Sequence, residues 1–101
     1  MQEKQIEEKL RKSIKAMGGL CLKWVSPGYT GVPDRIVLLP GGHIIFVELK
    51  APGKKERPRQ RYVQSVLKGL GFTVFESVDS IEKIDRVIWC ATRMMYGDDS
   101  E

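Results

Sequence analysis

Two apolar, β-branched runs flank Pro40-Gly41-Gly42, and the acidic residues Asp34 and Glu48 stand equally far from the centre of that turn. Gly31-Val32-Pro33-Asp34 opens the first run, Arg35 to Leu39; the second is His43 to Leu49, followed by Lys50. Runs of this composition around a Gly-containing turn of this length predict a hairpin. With the turn centred on Gly41, Asp34 faces Glu48 across the strands, at a Cβ separation of roughly 4.5–5.5 Å. Side chains two apart on a strand share a face, so Lys50 joins Glu48. Two carboxylates and an ammonium converge on one point, the outline of a metal-dependent site for phosphodiester cleavage. Without Glu48 opposite it, Asp34 would be an ordinary strand opening after a proline turn. The pairing changes that, because facing like charges destabilise a hairpin unless something positive lies between them.

The second strand of the hairpin is apolar on both faces, with Ile44 and Phe46 on one and Ile45, Val47 and Leu49 on the other. Such a strand is central and covered on both sides. Glu48 and Lys50 continue it where it leaves the core. Unpaired buried charge is expensive, so these residues need each other, a metal, or an open sheet end.

Around the hairpin the periodicity predicts a helix from Gln2 to Met17, with Ile6, Leu10, Ile14 and Met17 on one face, ended by Gly18-Gly19. A short strand from Leu20 to Val25 leads into a flexible loop, Ser26 to Gly31. After the hairpin comes a basic connector, Ala51 to Arg57. Pro58 then opens a helix whose expected apolar face is Tyr62, Val63, Val66, Leu67 and Leu70. Thr73 to Val78 is a fourth strand. Asp79 with Glu82 forms a capping-box-like start to a last helix, about Ser80 to Met95, with Ile81, Ile84, Ile88, Ala91 and Met95 inward. The order is α-β-β-β-α-β-α, an α/β chain. Residues 1–96 are expected to form a single domain, and 97–101 an acidic tail.

The chain's 101 residues suit one domain with a modest core, and 42% hydrophobic content suits a globular protein. No apolar stretch approaches the roughly 20 residues of a membrane span. The charged N-terminus does not resemble a signal peptide. Cys21 and Cys90 lie far apart in apolar runs without CxxC spacing, as buried reduced thiols do. A net charge of +4 permits a nucleic-acid partner without requiring one.

The run Gly31-Val32-Pro33-Asp34, the Gly-rich turn, Val47-Glu48-Leu49-Lys50, and Gln60 on the following helix together closely resemble the VRR-NUC domain of the PD-(D/E)xK nuclease superfamily. The resemblance runs from Glu3 to about Asp85. It implies a restriction-endonuclease-like core, a central mixed four-stranded sheet flanked by helices, of the stand-alone type found in phages and prophages. It therefore also implies the cytoplasm of a bacterial host. Bare Asp…Glu-x-Lys triples arise by chance; the added Gly-Val-Pro-Asp, hairpin spacing and downstream Gln60 make the match specific.

The resemblance implies roles residue by residue. Asp34 and Glu48 hold Mg²⁺ or Mn²⁺, with the Leu49 main-chain carbonyl as an extra oxygen ligand. Oxygen-only ligation suits these hard cations and argues against zinc. Lys50 becomes the catalytic lysine, positioning water or stabilising charge on phosphate, where the residues alone allow a solvated strand-end lysine. Gln60, by pattern a surface residue of a first helical turn, becomes part of the site. The first helix is expected to add an acid: Glu7 fits the spacing to Leu10, Ile14 and Gly18, with Glu3 as its rival and Glu8 facing solvent. Lys54, Lys55, Arg57, Arg59 and Arg61 are expected to position phosphates, with Lys23 and Arg35 as weaker candidates. Ser26 and Tyr29 are expected to touch nucleic acid, Tyr29 by stacking, with an ordinary exposed turn as the alternative. His43, on the far side of the strands from Asp34, is structural or exposed. Trp24 and Trp89 are core or interface residues. Met94-Met95-Tyr96 could be buried or face a partner chain.

The expected partner is branched or duplex DNA, with four-way junctions favoured, and no small-molecule cofactor. A homodimer is expected because a domain of this size covers little duplex, and paired incisions across a junction need two symmetry-related sites. The rival readings are a DNA-binding module of the same fold without catalysis, a flap or nonspecific nuclease, a small RNase, and an adaptor with a fortuitous motif.

Overall fold

In the computed structural model, which describes residues 2–97, the elements follow the order α1 (Glu3–Ala16), β1 (Leu20–Lys23), β2 (Arg35–Leu39), β3 (His43–Leu49), α2 (Pro58–Gly69), β4 (Thr73–Val78) and α3 (Ile81–Tyr96). The hairpin has the expected register: Arg35 faces Val47 and Leu39 faces His43. Gly41 and Gly42 carry its turn at φ +89° and +82°, a region that glycine enters without steric cost. β1 adds antiparallel outside β2, and β4 pairs in parallel with β3. The result is one mixed sheet in the order β1-β2-β3-β4.

The central position of β3 follows from its composition. Ile45, Val47 and Leu49 pack with Ile6, Leu10 and Ile14 of α1 and with Ile84, Val87 and Ala91 of α3 in one cluster. On the opposite face Phe46 lies between Trp24, stacked at 5.1 Å, and Phe72, edge-on at 5.3 Å. α2 crosses from β3 to β4, as a parallel pair requires. β3 is therefore covered from both sides and ends at Leu49, with Glu48 buried just before its end.

Several expectations are corrected. In α2 only Val63 and Gln64 are buried, while Tyr62 is 57% and Leu70 70% exposed. The helix touches the sheet along a narrower stripe than its apolar residues suggest, and a glutamine fills part of it. The cap of α3 is Ser80, whose Oγ accepts from the Lys83 N–H at 3.2 Å. Asp79 instead pairs with Lys83 at 3.1 Å. Val87 is fully buried in α3, a position absent from the expected inward set. Of the two readings of Trp89, core or interface, the first is overturned: it is 64% exposed, beneath the Arg93 guanidinium. Cys21 is buried and Cys90 half-buried, both as free thiols. Met94 and Met95 pack against the core, while Tyr96 is exposed. Among the described residues no helix is long and apolar enough to cross a membrane. Of the acidic tail, residues 98–101 lie outside the described residues.

Candidate active site

The hairpin brings its two acids together in a reciprocal clasp. The Asp34 N–H donates to Glu48 Oε1 at 3.1 Å, and Asp34 Oδ2 accepts from the Leu49 N–H at 2.9 Å. Each carboxylate is thus fixed by the backbone of the other strand. Glu48 is only 1% exposed, while Asp34 is half-buried.

Lys50 lies on the same face as Glu48, its Nζ 3.0 Å from Glu48 Oε2. Gln60 completes the cluster from the first turn of α2. Its Nε2 donates to Glu48 Oε2 at 2.7 Å, while its Oε1 accepts from Lys50 Nζ and from the Arg57 N–H, each at 3.0 Å. One amide therefore ties the strand end to the helix start and caps an orphan N–H there. Pro58 at the first helical position leaves one fewer N–H to satisfy.

Glu7 projects from α1 to Arg35, paired at 2.8 Å. It is close enough to Asp34 for its charge to act there. Glu3 and Glu8 are exposed, and Glu8 pairs with Lys12 at 3.1 Å. Among the described residues no group of three or more His, Cys, Asp or Glu side chains is set to hold a metal ion. The acid cluster is a pair, Asp34 and Glu48, with Glu7 turned to its own arginine.

Burial raises the carboxyl pKa of both Asp34 and Glu48. For Asp34 the Leu49 N–H and the Lys50 charge act the other way, and nearby Glu7 adds to the rise. For Glu48 the Lys50 hydrogen bond opposes burial, and the facing Asp34 charge reinforces it. A buried and a half-buried carboxylate that repel each other and offer only oxygen donors are the environment that a hard divalent cation relieves. The residues present fit such an ion.

The other candidates surround this cluster unevenly. Lys54, Lys55, Arg57 and Arg61 are exposed on or beside the connector that leads into α2, and Lys23 is exposed on β1. Arg59 is also exposed, but its guanidinium is engaged: Nε donates to the Thr30 carbonyl at 3.0 Å, and Cζ lies 4.7 Å from the Tyr29 ring centre and 5.3 Å from that of Tyr62. The loop holding Ser26 and Tyr29 is thereby strapped to α2. Ser26 is half-buried, and its carbonyl accepts from the Tyr29 N–H at 3.3 Å. His43 sits at the hairpin turn, at the opposite end of β3 from Glu48.

Sequence reasoning missed a second polar group beside the first. Glu56 accepts from the Gln64 amide with one oxygen and from the Ser77 hydroxyl with the other. Gln64 lies four residues after Gln60, on the same side of α2. Ser77 belongs to a bulge in which two residues of β4, Glu76 and Ser77, lie opposite Glu48 alone, and its φ is +49°. Bulges re-aim side chains at the ends of sheets. Nothing in the sequence pattern marked it: Gln64 lies outside the apolar face expected of α2 and is buried all the same.

A mixed four-stranded α/β core whose hairpin ends in a paired-acid and lysine cluster can be compared with known proteins. The sequence is 49% identical over 74 residues to "Putative nuclease p44" of Acyrthosiphon pisum secondary endosymbiont phage 1, covering 73% of this chain and 80% of that protein. A solved structure described as a VRR_NUC domain superposes with a TM-score of 0.79 at 33% identity, covering 86% of this chain and 94% of that one. No family model matches the chain. On these likenesses in sequence and fold, the chain belongs to the VRR-NUC family and is of phage type.

Proposed function

We propose that this protein is a nuclease that hydrolyses DNA phosphodiester bonds with the help of a divalent cation, over a single domain spanning residues 1–96. The observation that carries the reading is the clasp of Asp34 and Glu48, with Lys50 and Gln60 bonded to the same Glu48 oxygen. A buried charged cluster is weak evidence for a stabilising role, so paired acids beside an ammonium point to function.

Asp34, Glu48 and the Leu49 carbonyl are the ligands proposed for Mg²⁺ or Mn²⁺. The chemistry such a cation supplies is acidification of a water and neutralisation of charge on the scissile phosphate. Lys50, steadied by Gln60, places its positive charge where the phosphate gains negative charge in the transition state. Gln60 fixes both partners and so the relative position of β3 and α2. Glu7 acts at longer range, through its charge beside Asp34. The exposed Lys54, Lys55, Arg57 and Arg61 meet the phosphates on either side, with Lys23 of β1 as a further candidate.

The proposed substrate is branched DNA, four-way junctions foremost, cut by a homodimer whose two sites are set by symmetry. The name of the phage relative and the family's fold support the nuclease; the small size of the domain supports the dimer. The test is incubation with labelled four-way junction, flap and linear duplex under Mg²⁺, Mn²⁺ or EDTA, alongside Glu48→Ala. Symmetric junction cuts that require metal and vanish in the variant are expected. Equal cutting of every substrate would remove the junction preference, and binding without product would leave a DNA-binding module.

A further inference from the structure

The α2 face expected to be apolar core instead presents Tyr62 to solvent. Tyr62 is 57% exposed, and Tyr29, on the loop that leads to Asp34, is 44% exposed. Between them lies Arg59, 4.7 Å from one ring centre and 5.3 Å from the other, with its Nε on the Thr30 carbonyl. A guanidinium packed against an aromatic face is held by the ring's quadrupole, and here two rings share one cation. Gly31 tightens the unit: its Cα lies so near α2 that an added Cβ would meet Arg59 Cγ at 2.7 Å. Loop and helix are locked together while both tyrosines stay open to solvent.

This unit adjoins the acid cluster. Arg59 precedes Gln60, whose amide bonds Glu48 and Lys50, and the strapped loop enters Asp34 three residues after Gly31. The other exposed aromatics on helices, Trp89 and Tyr96, are on α3, across the sheet from α2. Aromatic faces held rigidly beside a phosphate-handling site have one natural ligand in nucleic acid, the π-face of a base that is not paired. A base inside a duplex offers no such face.

We infer that Tyr29, Arg59 and Tyr62 form a stacking platform for unpaired bases next to the scissile phosphate, so that the preferred DNA carries a single-stranded segment at the cut. Arg59 braces the two rings in this arrangement and is a positioning residue. The inference rests on the nuclease reading above and, within branched DNA, ranks forms with unpaired bases at the cut ahead of fully paired four-way junctions.

The experiment separates the two. Binding is followed by fluorescence anisotropy in EDTA, using blunt duplex, the same duplex with a single-stranded flap, and that flap built from abasic nucleotides. The proteins are wild type, Tyr29→Ala and Tyr62→Leu, each checked for folding by circular dichroism. Wild type is expected to bind the flap about fivefold to a hundredfold more tightly than blunt duplex, and the abasic flap no better than duplex. Both variants are expected to lose the flap advantage and keep their duplex affinity. An abasic flap bound as tightly as the intact one overturns the platform with wild-type protein alone, as does equal loss on flap and duplex in the variants. With Mg²⁺ added, base-dependent flap binding without any product would remove the nuclease reading and leave the platform. Cutting that ignores the bases would do the reverse.

Discussion

Asp34 and Glu48 hold each other's strands: the Asp34 N–H bonds the Glu48 carboxylate at 3.1 Å, and the Asp34 carboxylate bonds the N–H of Leu49, the residue after Glu48, at 2.9 Å. Two acids that repel through their charges are thus pinned together by neutral backbone donors. The geometry is imposed by β2 and β3, and the electrostatic cost stays in the folded state. Such stored cost belongs to sites organised for a ligand more than for stability.

Replacing one charge should therefore stabilise the metal-free protein. Asp34→Asn keeps an oxygen for the Leu49 N–H and removes the repulsion on Glu48. A gain of about 1 kcal/mol in urea unfolding is expected in EDTA, together with loss of cleavage. Mg²⁺ should raise the melting temperature of wild type and leave that of the variant unmoved. A variant less stable than wild type in EDTA would mean that the Asp34 charge is compensated within the chain.

The same cost sets a pH dependence. The folded pKa of both Asp34 and Glu48 lies above the ordinary carboxyl value, because burial disfavours the charged form. Above the folded pKa the ionised pair penalises the fold. As pH falls through it, the folded state takes up protons before the unfolded chain does and the penalty fades. The stability advantage of Asp34→Asn over wild type should thus be largest near pH 7 and shrink toward about pH 4. Affinity for Mg²⁺ should fall over the same range, since protons and cation compete for the same oxygens. An advantage that grows on acidification would reverse the sign of the assigned shifts.

The hairpin and its acid pair were legible in the sequence because strand periodicity is two and the turn centre fixes the register. Once Gly41 is placed, Asp34 can face only Glu48. α2 was less legible. Tyr62, Val63, Val66, Leu67 and Leu70 have helical spacing, yet how wide a stripe is covered depends on what lies beneath, and only Val63 and Gln64 are buried. The burial of Gln64 depends on Glu56, eight residues away on an irregular connector, and on a bulge at Ser77 that no local pattern announces. Asp79 and Ser80 are both good helix caps, and backbone geometry chose the serine.

Gly31 tests the strap between loop and helix. Its φ is +87°, and a Cβ would lie 2.7 Å from Arg59 Cγ and 3.1 Å from the Arg59 carbonyl oxygen. Gly31→Ala must therefore strain the backbone and lift the loop from α2, at a cost of about 1–3 kcal/mol. In an Arg59→Ala background the side-chain part of the clash disappears and the cost should shrink, which a double-mutant cycle in urea would read. Additive losses would separate the loop from Arg59.

Lys50 should act in the opposite direction from Asp34, although both belong to one cluster. Its ammonium is the cation 3.0 Å from the nearly inaccessible Glu48, and it shares Gln60 with that carboxylate. Lys50→Ala leaves Glu48 with Gln60 and the Asp34 N–H but without positive charge, so a loss of about 2 kcal/mol is expected at neutral pH. The loss should lessen on acidification, when Glu48 takes up a proton. Lys50→Arg should not fully restore either stability or cleavage, because a planar fork cannot reproduce two bonds converging on one nitrogen. Urea unfolding of Lys50→Ala and Asp34→Asn side by side gives the comparison. Opposite signs would mean that the lysine offsets the acid pair in the metal-free fold, whereas a gain for both would assign Lys50 to the reaction alone.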